Sequence, residues 1–168
     1  LLALVADGLG GHPHGDVASR LAVAAVVDSA PADPDELVVA VHAASESLYT
    51  AMRHDDSLVG MGTTLAAILV HDGGIAVANV GDSPVHMLVD DGLVELSTMD
   101  SLTATEDPSG RYGHVVTQTL GGTTVPEPVW PHLFELDADM SVRLLLATDG
   151  LADYADEADF ELAVSSVG

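Results

Sequence analysis

Between residues 61 and 96 the chain is a succession of apolar runs cut by tight-turn signals, and this succession does most to limit the possible folds. Residues 61–70 are long, apolar and bounded by glycine, which favours a strand. His71-Asp72-Gly73-Gly74 follows as a hairpin signal, with Asp-Gly expected to supply positive φ. Residues 75–80 return, Gly81-Asp82-Ser83 breaks the run, residues 85–89 resume it, and Asp90-Asp91-Gly92 turns into residues 93–96. Strands joined this tightly make an antiparallel meander, because parallel βαβ units need a crossover helix between strands.

Ahead of the meander lie two helical patterns. Residues 15–29 carry apolar side chains at Val17, Leu21, Ala24, Ala25 and Val27, which predicts a helix with a broad buried face. After a loop at residues 30–34, Leu37, Val41, Ala44, Leu48 and Met52 recur at three- and four-residue steps, giving a second helix to about Arg53 with Asp33 or Asp35 as its cap. His42 and Glu46 sit at helical spacing on its flank, where they read as surface residues. Residues 97–113 read as a loop, 115–120 as strand or short helix, 129–136 as an edge segment bracketed by prolines, 142–147 as a buried strand, and 157–164 as a final helix. Helices grouped apart from an antiparallel run of strands predict an α+β fold with helices stacked on sheets.

Two strand ends share one design. Residues 1–5 release Ala6-Asp7-Gly8-Leu9, and residues 144–147 release Thr148-Asp149-Gly150-Leu151. A carboxylate on the lip of a buried strand, followed by backbone free to fold tightly, suits an oxygen ligand to a hard cation. Asp7 with its glycines is equally compatible with a tight strand-to-helix turn ending in a solvated side chain. Two such ends on adjacent strands would aim carboxylates at one site, and with no cysteine the donors fit Mg²⁺ or Mn²⁺ rather than zinc.

Charge narrows the partners. The 168 residues hold four arginines (Arg20, Arg53, Arg111, Arg143), no lysine and 27 Asp plus Glu, for a net charge of −23. Scattered arginines cannot build the basic face that nucleic acid requires. The apolar runs are too short to span a bilayer, and no signal peptide is visible, so the expected setting is cytoplasmic with no membrane partner. A phosphate-bearing substrate would be repelled by this surface unless positive charge were supplied locally.

Four motifs in order, Asp7-Gly8-Leu9-Gly10-Gly11-His12, Gly60-Met61-Gly62-Thr63-Thr64, Val80-Gly81-Asp82-Ser83 and Thr148-Asp149-Gly150-Leu151-Ala152-Asp153, resemble the metal-dependent PPM family of protein serine/threonine phosphatases, also called type 2C. The resemblance implies an α-β-β-α sandwich of two antiparallel sheets flanked by helix pairs. It implies two Mn²⁺ or Mg²⁺ ions, with a metal-bound water, and no side chain, as the nucleophile on phosphoserine or phosphothreonine. Asp7 matches the bridging carboxylate, Gly8 the residue whose carbonyl binds one ion, and Asp149 the ligand of the other. Asp100, in Thr98-Met99-Asp100-Ser101, matches a third-ion ligand only with a one-residue shift. Gly62, Thr63, Thr64, Gly81 and Asp82 match motifs that pack the strands carrying the site, and His12 matches the family's common residue after the glycines; His14, beside the site, reads as a loop-packing residue rather than a general acid.

The sequence departs from the family in several places. The family's phosphate-binding arginine and Asn-Glu-Asp segment belong upstream of Leu1, and its closing Asp-Asn pair beyond Gly168; Pro84 stands where an arginine follows Gly-Asp-Ser. The expectation is a single domain over residues 1–168 that is an incomplete copy, lacking the family's N-terminal strands and C-terminal end. Its substrate would be a phosphorylated protein, the product of a serine/threonine kinase. The alternative is a catalytically impaired pseudophosphatase acting as a regulatory or binding module.

Overall fold

The apolar hairpin in the middle of the sequence is also the middle of the fold. The computed structural model describes residues 1–10, 14–89, 92–102, 115–137 and 142–152. Strand β3 (Leu65–His71) pairs antiparallel with β4 (Gly74–Val80), in register from Leu65 opposite Val80 to His71 opposite Gly74. The positive φ of this hairpin falls at Gly74 (145°), one residue later than the Asp-Gly pair suggests, and the Gly73 amide donates to His71 Nδ1 at 3.2 Å. On its free side β3 takes β1 (Leu2–Val5), Leu2 opposite Leu69 and Val5 opposite Ala66. β4 takes β8 (His132–Asp137), which completes a four-stranded sheet in the order β1-β3-β4-β8.

The expected continuous meander is divided between two sheets. After β4, the Gly81-Asp82-Ser83 break carries the chain into a second, three-stranded sheet, where β5 (Val85–Val89) pairs with β6 (Gly92–Glu95) and with β9 (Arg143–Leu146). A third, minimal ladder joins β2 (Gly62–Thr63) to β7 (Leu120–Gly121). The long apolar run at residues 61–70 is thus two strands, interrupted at Thr64, where the backbone amide turns to the Asp7 carbonyl (2.8 Å).

Period-two alternation sorts the central hairpin onto two cores. Leu65, Ala67 and Leu69 of β3, with Ala76, Ala78 and Val80 of β4, pack against the helices. Ala66, Ile68 and Val77 face the other way, meeting Val85 and Leu96 of the second sheet, with Met87, Leu144 and Leu146 partly buried around them. The layers are therefore a helix pair, a four-stranded sheet and a three-stranded sheet: the α+β architecture of packed antiparallel sheets that the sequence predicts. The final helix expected at residues 157–164 lies outside the described residues.

Helices α1 (Gly15–Ser29) and α2 (Pro34–His54) cover the outer face of the larger sheet. α2 starts where its chemistry says it should. Asp33 is the N-cap and its carboxylate accepts from the Glu36 amide at 2.8 Å, Pro34 opens the first turn, and Arg53 and His54 sit in the last turn. Its buried residues include Leu37, Val41, Ala44, Leu48 and Met52, as the spacing predicts, and His42 and Glu46 are exposed. In α1 the buried stripe is Ala18, Ala22 and Val26, while Ala24 and Val27 (51% exposed) face solvent. Val17, Leu21 and Ala25 pack partly buried against the same core, as the spacing predicts, so the face differs from the expected one only at Ala24 and Val27. Among the described residues no helix is long and apolar enough to cross a membrane.

Candidate functional site

Asp7 stands two residues past β1, and Thr63 and Thr64 hold its backbone on both sides. Its amide donates to Thr64 Oγ1 (3.0 Å), and its carbonyl accepts from the Thr64 amide (2.8 Å) and from Thr63 Oγ1 (2.8 Å). Thr64 Oγ1 also shares a 2.8 Å hydrogen bond with Ser83 Oγ, which ties this corner to the Gly81-Asp82-Ser83 break. Both threonines are buried, so these bonds form away from competing water. The Gly-Thr-Thr motif expected to pack strands thus fixes the Asp7 main chain directly.

Gly8 continues the corner with an isolated antiparallel bridge to Thr63, and the Leu9 amide donates to the Gly62 carbonyl at 3.0 Å. Gly8 lies against the first residue of α1: a Cβ there would come within 2.2 Å of the Gly15 carbonyl oxygen. Glycine is required here by the helix, whatever the carbonyl of Gly8 binds. Gly81 (φ 99°) meets Thr64 in the same way, since a Cβ on it would lie 2.7 Å from Thr64 Cγ2.

Asp149 comes from the other sheet. β9 ends at Leu146, and Asp149 opens the short helix α3 (Asp149–Ala152). β1 and β9 are not adjacent strands, as the twin Asp-Gly-Leu ends suggest; they belong to opposite sheets, and their aspartates converge across the sandwich. The Asp7 and Asp149 carboxyl groups are close enough to interact directly. Burial, then the neighbouring Asp149 carboxyl and then the Asp82 charge hold the Asp7 carboxyl above its ordinary pKa. Asp82, 8% exposed and expected to serve strand packing, lines the same cavity, and its charge faces Asp7. The signal for it is present in the sequence: Asp82, like Asp7 and Asp149, follows the end of an apolar strand, here β4 through Gly81.

The cavity has a volume of ≈ 780 Å³ and is lined by Asp7, Gly8, Asp82 and Asp149 at one set of positions and by residues 115–119 and Trp130 at another. Asp100 is not among its lining residues. The structure uses both Asp100 oxygens elsewhere: Oδ2 accepts from the Gly81 amide and from Gln118 Nε2 (both 2.9 Å), and Oδ1 pairs with His132 Nε2 at 2.8 Å. Asp100 thereby ties the Asp82 turn to the 115–119 wall, and its own backbone reinforces the tie through bonds to Gly81 and Thr117. Gln118 and His132 carry no sequence signal, because their segments have no clear period. His14 caps α1 through its carbonyl, at φ 57° and exposed, and does not line the cavity; His12 and Asp153 lie outside the described residues.

The donor set suits a hard divalent cation. Two neighbouring carboxyls with a third carboxylate charge facing them favour a proton or a cation to balance them, and no Lys, Arg or His lines the cavity among the described residues. Among those residues no group of three or more carboxylates and imidazoles is arranged to hold an ion, so backbone carbonyls and water would have to complete any shell.

Residues 1–167 match the protein family described as Protein phosphatase 2C. The serine/threonine protein phosphatase PstP of Mycobacterium tuberculosis is 33% identical to this chain over 164 residues, covering 91% of the chain and 32% of PstP. The chain therefore spans well under half the length of that relative. The serine/threonine phosphatase stp of Listeria innocua is 29% identical over 184 residues, covering 98% of the chain and 72% of stp. Among solved structures, the catalytic domain of PstP in complex with two manganese ions superposes with a TM-score of 0.78 at 32% identity, over 98% of this chain and 72% of that one. The phosphatase MsPP of Mycobacterium smegmatis, in complex with cacodylate, also gives a TM-score of 0.78, at 31% identity over 98% of this chain and 73% of that one.

Proposed function

We propose, from the premise that this chain belongs to the protein phosphatase 2C family, that it hydrolyses phosphoserine and phosphothreonine esters in proteins at a centre of two Mn²⁺ or Mg²⁺ ions held in part by Asp7, the Gly8 carbonyl and Asp149. The observation that carries the reading is the convergence of Asp7 and Asp149 from opposite sheets on one cavity. Carboxylates placed this close favour a divalent cation between them, since each raises the cost of ionising the other. Bound there, the ions supply the positive charge that a phosphoryl group needs and acidify water at neutral pH.

The chain's own residues do the positioning. Thr63 and Thr64 clamp the Asp7 backbone, which fixes the direction of its carboxylate; the Gly81 turn brings in Asp82; and Asp100 and Gln118 brace the wall at residues 115–119. Asp100 serves this bracing in the arrangement described, and a role toward a third ion would require it to exchange the Gly81, Gln118 and His132 bonds for the ion. The substrate is a phosphorylated protein, the product of a serine/threonine kinase.

Turnover of p-nitrophenyl phosphate with Mn²⁺ tests the reading, comparing wild type with Asp7→Asn and Asp149→Asn. The expected loss is on the order of a hundredfold or more in each variant, the scale set by removing a group that stabilises transition-state charge. Equal rates in all three proteins would sink the assignment. A second reading, a regulatory or binding module without turnover, is favoured by the lack of a three-residue cluster among the described residues. Titration calorimetry with Mn²⁺ separates the two: tight binding of two ions argues against the module.

A further inference from the structure

The cavity that holds the aspartates is also lined by a tryptophan with no role in the chemistry above. Trp130 is 73% exposed, an unusual position for the largest apolar side chain. Its backbone is nonetheless fixed. Gln118 Oε1 accepts from the Trp130 amide (2.7 Å) and Gln118 Nε2 donates to the Trp130 carbonyl (3.1 Å), so one side-chain amide pairs with this residue as a neighbouring strand would. The same Nε2 reaches Asp100 Oδ2, which the Gly81 amide also holds. Pro131 restricts the Trp130 backbone further, and the buried Val129 anchors the segment from beneath. The result is an indole presented to solvent from a braced main chain, lining the same cavity as Asp7, Asp82 and Asp149.

The chemistry beside it is acidic. Glu127 lines the same cavity, and among the described lining residues there is no Lys, Arg or His. An exposed indole face attracts a cation by its quadrupole, and a carboxylate within the same cavity adds to that attraction. The surrounding chain, with a net charge of −23, repels acidic peptides and steers cationic ones.

We propose that Trp130 and Glu127 form a specificity subsite that selects substrates carrying Arg or Lys near the phosphorylated Ser or Thr. The phosphate is directed to the aspartate end of the cavity and the cationic side chain to the tryptophan end. Because Gln118 and Asp100 hold Trp130 in place before the substrate arrives, little ordering cost falls on binding. The proposal rests on the phosphatase reading and goes beyond it in naming the class of substrate.

Two phosphothreonine peptides, identical except that flanking arginines in one are glutamates in the other, are compared as substrates of the Mn²⁺-loaded protein, with p-nitrophenyl phosphate alongside. The quantity read is the ratio of kcat/KM for the two peptides. Wild type is expected to favour the arginine peptide, and Trp130→Ala to reduce that ratio by about three- to tenfold, through KM rather than kcat. Trp130→Phe is expected to retain most of the preference, since a phenyl face still receives a cation, and Glu127→Gln to lose part of it. An equal rate for both peptides in wild type, or a ratio unmoved by Trp130→Ala, overturns the subsite while p-nitrophenyl phosphate turnover leaves the phosphatase reading standing. No turnover of any of the three substrates overturns both.

Discussion

Asp7 carries an electrostatic cost that bound metal would relieve. Its carboxyl is held above the ordinary carboxylate pKa by burial and by Asp149 and Asp82, so in the metal-free protein its protonated form favours folding. That contribution is complete below the unfolded pKa, near ~4, and is lost as pH rises through the higher folded value. Asp7→Asn removes the charge and keeps the shape. The metal-free variant is therefore expected to be more stable than wild type at pH 7, by less than about 1 kcal/mol because the site is partly open to solvent, and equal to it at pH 3. Thermal melts in chelator at the two pH values check this, and a destabilised variant at pH 7 would contradict it. With saturating Mn²⁺ the order should reverse, since wild type gains more from binding. That Asp7 and Asp149 meet in one cavity is legible in the sequence, because each strand end announces its carboxylate by a neighbouring glycine. Asp82 shows the same sign but sits in a motif that also packs strands, and that second task conceals the first. Gln118 and Trp130 are not legible: their roles depend on side chain to backbone bonds across 12 residues of loop, which leave no period in the sequence.

At the scale of elements, the contact between the end of β1 and the start of α1 limits the fold most sharply. Gly8 and Gly15 pack backbone against backbone, so a methyl group on Gly8 has no free space and must drive strand and helix apart. Gly8→Ala is expected to cost about 1–3 kcal/mol, the usual range for overpacking. Gly10→Ala is the control, since among the described residues a Cβ there meets nothing within 4 Å. Denaturant midpoints of the two variants measure the difference, and equal midpoints would show that the contact relaxes freely. The helices are readable because α2 carries both a capped start and a clean apolar repeat, whereas α1, rich in alanine and valine, declares its face less sharply: Val17, Leu21 and Ala25 pack on the core as predicted and Ala24 and Val27 do not. The hairpins are readable from their turns. Their division between sheets is not, because Gly81-Asp82-Ser83 looks like any other turn until the partners of β4 and β5 are known.

The whole molecule is a small sandwich under a large like-charge field. With 27 acidic residues against four arginines, self-repulsion opposes compaction, and salt should relieve it. The melting temperature is expected to rise by several degrees between about 10 mM and 0.5 M NaCl, as the Debye length falls from roughly 30 Å toward 4 Å. Mg²⁺ or Mn²⁺ at matched ionic strength should add a further increase that saturates, which screening alone does not do. A melting temperature independent of salt would show that the acidic residues are spaced widely enough to ignore one another. Composition makes this property plain from the start, while the layer order behind it requires the strand partners.

The two aspartates reach the cavity from different sheets, and the layers meet through the modest apolar seam around Ala66, Ile68, Val77, Val85 and Leu96. An ion gripped by both carboxylates would act as a rivet through the sandwich, registering how the layers are seated. Slippage of either sheet would loosen the grip, and loading the centre would in turn lock the layers. In such a molecule, mechanical integrity and readiness for chemistry are the same variable, set by one gap.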